Sequence, residues 1–101
     1  MNPIDPRKLQ HVYSRHAADF SITGRWSPAR GALLEAAIQT HVNDPNVHRI
    51  VGTYRGTIQV THHYNPTTHL NVMADQADNL VSGWVLSPSQ VAHLLTTGNI
   101  R

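Results

Sequence analysis

At Pro45 the hydrophobic pattern of this chain changes period, from 3.6 residues to 2. Few folds accommodate such a switch, because helices come first, strands follow, and the strands must find partners among themselves. Asp5-Pro6 reads as an N-cap followed by proline at the first helical position. Leu9, Val12, Tyr13, Ala17 and Phe20 then recur at helical spacing, with His16 on or beside their face. Residues 21–26 read as a loop turning at Gly24. Ser27-Pro28 repeats the cap-then-proline signal. Leu33, Leu34, Ala37, Ile38 and His41 mark a second amphipathic helix, which stops at Asn43-Asp44-Pro45 because a residue before proline disfavours helical backbone.

Beyond Pro45, segments 49–54, 57–64, 70–75 and 80–86 are rich in Val, Ile, Thr and aromatics and read as strands. Only short turn material separates them, so each strand pairs antiparallel with the next in a four-stranded meander. A last short helix runs from Ser87-Pro88 to a C-cap near Gly98. The expected fold is α+β: N-terminal helices packed on one face of a four-stranded antiparallel sheet, with a short C-terminal helix. At 101 residues it is a single domain spanning 1–101, able to hold one modest core.

Composition removes several classes of chemistry. The absence of cysteine excludes disulfides, thiol nucleophiles and Cys-ligated zinc or iron–sulfur sites. No apolar run approaches the ~18 residues of a membrane span, and the first ten residues do not read as a signal peptide. Phosphate-binding glycine loops, the G-x-S-x-G elbow and H-E-x-x-H are all missing. Six acids scattered along the chain carry no signature of a carboxylate pair. The oddity is basic: seven of the eight Lys+Arg are arginine, eight histidines accompany them, and the pI is about 9.5. Such a chain suits an anionic partner, although it lacks the Lys/Arg blocks of a DNA-binding arm.

His62 and His63 are adjacent in a strand and therefore face opposite ways. His62 shares its face with Ile58, Val60 and Tyr64 and reads as a packed, hydrogen-bonded histidine, with a zinc site from His62, His69 and a carboxylate as the alternative. Arg15-His16 could place an acid–base imidazole beside a guanidinium at a bound phosphate, or His16 could simply fill a helix–sheet seam. Ser82 and Trp84 share a strand face across Gly83. They suit a nucleotide, the hydroxyl for a phosphate oxygen and the indole for a base, or else a core tryptophan with a satisfied serine.

The ordered set R-H-A-A-D-F (15–20), G-T-Y-R-G (52–56), T-H-H-Y-N-P-T-T-H-L-N-V-M (61–73) and V-S-G-W-V-L-S-P-S-Q (81–90) resembles the nuclease domains of the colicin D family. It is similar too to the toxin tips of contact-dependent growth inhibition proteins. The resemblance covers about residues 9–98. It implies a metal-independent ribonuclease that cuts transfer RNA in the anticodon loop and needs no cofactor. The family's essential histidine maps onto His16, and its serine and tryptophan onto Ser82 and Trp84. Family members carry lysines just ahead of that histidine, whereas here Arg15 precedes it and Lys8 lies upstream. Arginine keeps the charge but changes its geometry, which leaves the choice of transfer RNA open.

On that reading His16 is the general base or acid, Arg15 a phosphate clamp, Ser82 a hydrogen-bond partner and Trp84 a stacking platform. Lys8, Arg55 and His63 stand as unranked candidates for substrate binding and for the second proton transfer. The resemblance further implies delivery from a larger secreted or surface-borne toxin into the cytoplasm of a target bacterium. It also implies neutralisation by an acidic immunity protein bound one-to-one over the site. A non-catalytic RNA-binding module and a metal-dependent hydrolase are the rival readings.

Overall fold

Helix α1 (Pro6–His16) begins where the sequence places it. The Asp5 carboxylate accepts from the backbone N–H of Arg7 (2.8 Å) and Lys8 (3.3 Å), which caps donors that a helix start leaves free. The computed structural model describes all 101 residues. After His16 the chain tightens into a 3-10 turn, Ala17–Phe20, that swings Phe20 back into the core and ends at Ser21 with φ 62°. Helix α2 (Pro28–Val42) is capped by the Ser27 hydroxyl and buries Leu34, Ile38, His41 and Val42. Leu33, expected on the apolar face, is 59% exposed. Neighbours on a helix point about 100° apart, so only one of the Leu33–Leu34 pair can face the sheet.

Strands β1 (His48–Tyr54), β2 (Ile58–Tyr64), β3 (Leu70–Ala74) and β4 (Leu80–Val85) form the antiparallel meander. Helix α3 (Pro88–Thr97) follows, opened by a Ser87/Gln90 capping box and closed by Gly98 at φ 75°. The sheet then gains a fifth strand, β5 (Asn99–Ile100), which pairs parallel to β1 in the order β4-β3-β2-β1-β5. Two residues carry no periodicity, so this strand left no mark in the pattern. The helices divide between the two faces. Helices α1 and α2 cover one with Leu9, Val12, Phe20, Leu34 and Ile38 against Val72 and Leu80, as expected. Helix α3 lies on the other, packing Leu94 with Tyr64, Leu86 and Ile100.

His62 holds the last strand in place. Its Nε2–H donates to the carbonyls of Thr53 and Gly98, each at 3.0 Å, and its Nδ1 accepts from the Asn71 amide at 3.1 Å. Carbonyls only accept, so the ring is the neutral Nε2–H tautomer. This is the packed histidine that strand alternation predicts, and neither nitrogen is left to ligate zinc. Gly52 completes the joint, because a Cβ there would collide with the Gly98 carbonyl. On the opposite face, His63 donates from Nδ1 to the Val72 carbonyl at 3.1 Å, and its own carbonyl accepts from His41 at 2.8 Å.

Burial holds both His62 and His63 below their ordinary pKa of 6.5. The unfolded chain therefore takes up protons at these positions before the folded chain does. Stability contributed by the neutral rings is complete above pH 6.5 and is lost as pH falls below it. The melting temperature should drop between pH 7.5 and pH 5; a flat or rising Tm would contradict this assignment.

Candidate active site

The site begins where the end of α1 meets β4. Asp19 accepts the Val85 backbone N–H at 2.9 Å. Phe20 lies over Gly83, where an added Cβ would stand 3.3 Å from the ring and 3.0 Å from Val72. The strand glycine thus marks close approach by a side chain from α1's extension. His16 stacks on Trp84, with ring centroids 5.3 Å apart and planes inclined by 26°. R-H-A-A-D-F and V-S-G-W are therefore two halves of one joint.

Trp84 is held from other sides as well. Its Nε1–H donates to Gln90 Oε1 at 3.3 Å, the same oxygen that accepts the Ser87 N–H of the α3 capping box. Tyr54 meets the indole edge-on at 5.9 Å, and the Arg55 guanidinium lies 5.0 Å from the Tyr54 ring centre. Tyr54 belongs to β1, three strand spacings from β4, or about 14 Å across a flat sheet. Contact at that remove requires the sheet to curl, making the α3 side concave. Ser82 and Trp84 face this hollow, since their register partners Met73 and Asn71 align with His62 and Tyr64 of β2.

The result is a cleft of about 390 Å³ between α1, β4 and the β1–β2 hairpin. It brings together Lys8, Arg15, His16, Arg55, Ser82 and Trp84. His63, the remaining candidate, lies outside it, buried on the opposite face against Val72. Two further polar side chains join the cleft, His11 and Tyr54, beside the apolar Ile58 and Val81. Both had a signal in the sequence: His11 sits three residues after Lys8 and four before Arg15 on one helix stripe, and Tyr54 is central in G-T-Y-R-G. A larger recess of about 950 Å³ adjoins along the first half of α1. It shares Lys8 and His11 with the cleft, its carboxylates, Asp5 and Asp75, already accept backbone N–H groups, and no Phe, Tyr or Trp lines it.

No carboxylate lines the cleft, whereas Lys8, Arg15 and Arg55 all reach solvent there. Such a pocket concentrates anions. Partial burial lowers the His16 pKa from 6.5; Asp19 opposes that shift, and Arg15 and His11 reinforce it. A neutral imidazole at neutral pH can accept a proton. Trp84 offers a base only the surface that His16 leaves open.

A family model described as colicin D matches residues 8–94. The chain belongs to the colicin D family. The match begins at Lys8 and takes in every residue lining the cleft. The structure is similar to that of a ribonuclease from Escherichia coli complexed with its inhibitor protein. The TM-score is 0.81 at 27% identity, covering 91% of this chain and 99% of that one. No curated protein sequence matches.

In this colicin D-family domain, the Trp84 ring stacked on His16 covers one face of the imidazole. By NMR titration His16 should ionise below 6.5, and Trp84→Ala should move it back toward that value. A wild-type pKa at or above 6.5 would contradict the burial assigned to this ring.

Proposed function

We propose that this domain is the ribonuclease of a bacterial toxin, that it cuts transfer RNA in the anticodon loop, and that an immunity protein neutralises it. One observation carries the reading: the cleft joins a half-buried, neutral imidazole to three cations with no carboxylate between them. The E. coli ribonuclease of similar structure and the family membership support it.

RNA supplies its own nucleophile, the 2′-hydroxyl beside the scissile phosphate. His16 takes that proton, which suits a ring held neutral. The 2′-oxygen attacks phosphorus, and charge accumulates on the phosphoryl oxygens. Arg15, Lys8 and Arg55 stabilise that charge, and Ser82 donates a hydrogen bond from the strand floor. Trp84 fixes the plane of the His16 ring. Departure of the 5′-oxygen leaves a 2′,3′-cyclic phosphate on one fragment and a 5′-hydroxyl on the other. No step requires a metal ion.

The same cations suit an acidic inhibitor whose carboxylates occupy the phosphate positions, one molecule to each cleft. Charge complementarity speeds such an association and makes it salt-sensitive. The domain acts inside the target bacterium after delivery by a larger secreted or surface-borne toxin. No helix in it is long and apolar enough to cross a membrane.

Purified domain incubated with total transfer RNA and chelator tests the reading. Wild type should release cyclic-phosphate and 5′-hydroxyl ends. His16→Ala should lose roughly 10²–10⁴-fold in rate with its fold intact. The acidic protein encoded beside the toxin should displace the RNA. Binding without cleavage would indicate an RNA-binding module, and chelator-sensitive release of 5′-phosphates would indicate a metal-dependent hydrolase. Simultaneous binding of inhibitor and RNA would refute occlusion.

A further inference from the structure

We infer that His11 is the general acid that protonates the leaving 5′-oxygen, an assignment that rests on the ribonuclease reading above. In-line displacement puts the attacking and leaving oxygens on opposite sides of phosphorus. One imidazole aimed at the 2′-oxygen does not reach the other without moving, so a second proton-transfer group must stand across the phosphate. The cleft narrows the choice. His63 is buried on the far side of the sheet. Arginine is protonated at any physiological pH and donates poorly, and a lysine ammonium ordinarily keeps its proton far above neutral pH, which leaves Arg15, Arg55 and Lys8 as fixed charges on the phosphate. Histidine is the side chain whose charge changes in the neutral range, and His11 is the second imidazole in this cleft.

The histidines of the chain sort by what their rings do. His41, His62, His63 and His93 spend ring nitrogens on protein partners. His11 is exposed and holds no ring hydrogen bond, and it lies close enough to His16 to perturb it electrostatically. Five residues separate the pair along α1, an axial offset of about 7.5 Å, which leaves room for a phosphate between two side chains reaching in from different turns. Lys8 and Arg15, at the third residue before and the fourth after, flank His11 on its own stripe and hold the same phosphate group.

The proton balance closes. Neutral His16 takes the 2′-hydroxyl proton as the 2′-oxygen–phosphorus bond forms. The bond from phosphorus to the 5′-oxygen breaks, and the His11 imidazolium gives its proton to that oxygen. Each ring is then reset by exchange with water.

The role predicts a dependence on the leaving group that a binding role does not. A transfer RNA carrying bridging sulfur in place of the 5′-oxygen at the cut bond releases a thiolate, which needs no proton. His11→Gln, at an exposed ring without partners, should fold as wild type, which a melting curve checks. It should cut the ordinary bond at least about 10²-fold more slowly. On the sulfur-bridged bond it should run within a few-fold of wild type, while His16→Gln stays slow on both. Equal loss on the two bonds would make His11 a phosphate-binding residue and overturn the proposal. So would an undiminished rate on the ordinary bond. A wild-type domain that cuts neither bond would instead overturn the ribonuclease reading itself, and this proposal with it.

Discussion

The hydrogen bond from the Val85 N–H to the Asp19 carboxylate is the contact on which the site depends. Strand β4 is an edge strand, and its outward N–H groups have no neighbour to pair with. Asp19 satisfies one of them and, in doing so, fixes the end of α1 against the sheet. Phe20, next in the chain, then seats over Gly83, and His16, three residues before Asp19, lands on Trp84. Release of this joint would let water reach His16 and remove the cause of its lowered pKa. A chain segment that looks like a catalytic motif is thus mostly a fastening, with one half-buried imidazole at its edge.

The far wall of the cleft depends on the C-terminus in a similar way. Tyr54 and Arg55 stand at the end of β1, where the hairpin would otherwise be free to splay. Strand β5 restrains it: the Arg55 N–H donates to the Ile100 carbonyl, and Asn99 Oδ1 accepts from both the Thr53 hydroxyl and the Gly56 N–H. His62 donates to the carbonyls of β1 and of the turn before β5 at once. G-T-Y-R-G therefore serves two ends. Gly52 admits the Gly98 carbonyl, Arg55 and Gly56 take positive φ at the turn, and the two side chains between the glycines that point into the hollow form its wall.

Much of this was legible because local chemistry agreed with the global fold. The three Asp/Ser-Pro pairs start three helices, and the change of period at Pro45 separates the first two from the meander. What escaped was set by distance in the chain. Strand β5 exists because His62 and Gly52 receive it, not because Asn99 and Ile100 favour extended backbone. The curl that brings Tyr54 to Trp84 is a property of the whole sheet, invisible in any one strand. His63 looked like a neighbour of the site because it is next to His62, yet alternation sends it to the helix-covered face. The stripe of Lys8, His11 and Arg15 is visible in the helical spacing, but only the opposite wall of the cleft, supplied by Tyr54 and Arg55, turns it from a solvated face into part of a site.

As proposed above, this cleft cuts transfer RNA at the anticodon loop, with His16 in the reaction. The most direct test is to sequence RNA ends from bacteria shortly after expression of the domain is induced. The account predicts new ends concentrated in the anticodon loops of one or a few transfer RNAs, and none of them in cells expressing His16→Ala at equal level. Ends scattered through ribosomal and messenger RNA, or an unchanged pattern with His16→Ala, would contradict it.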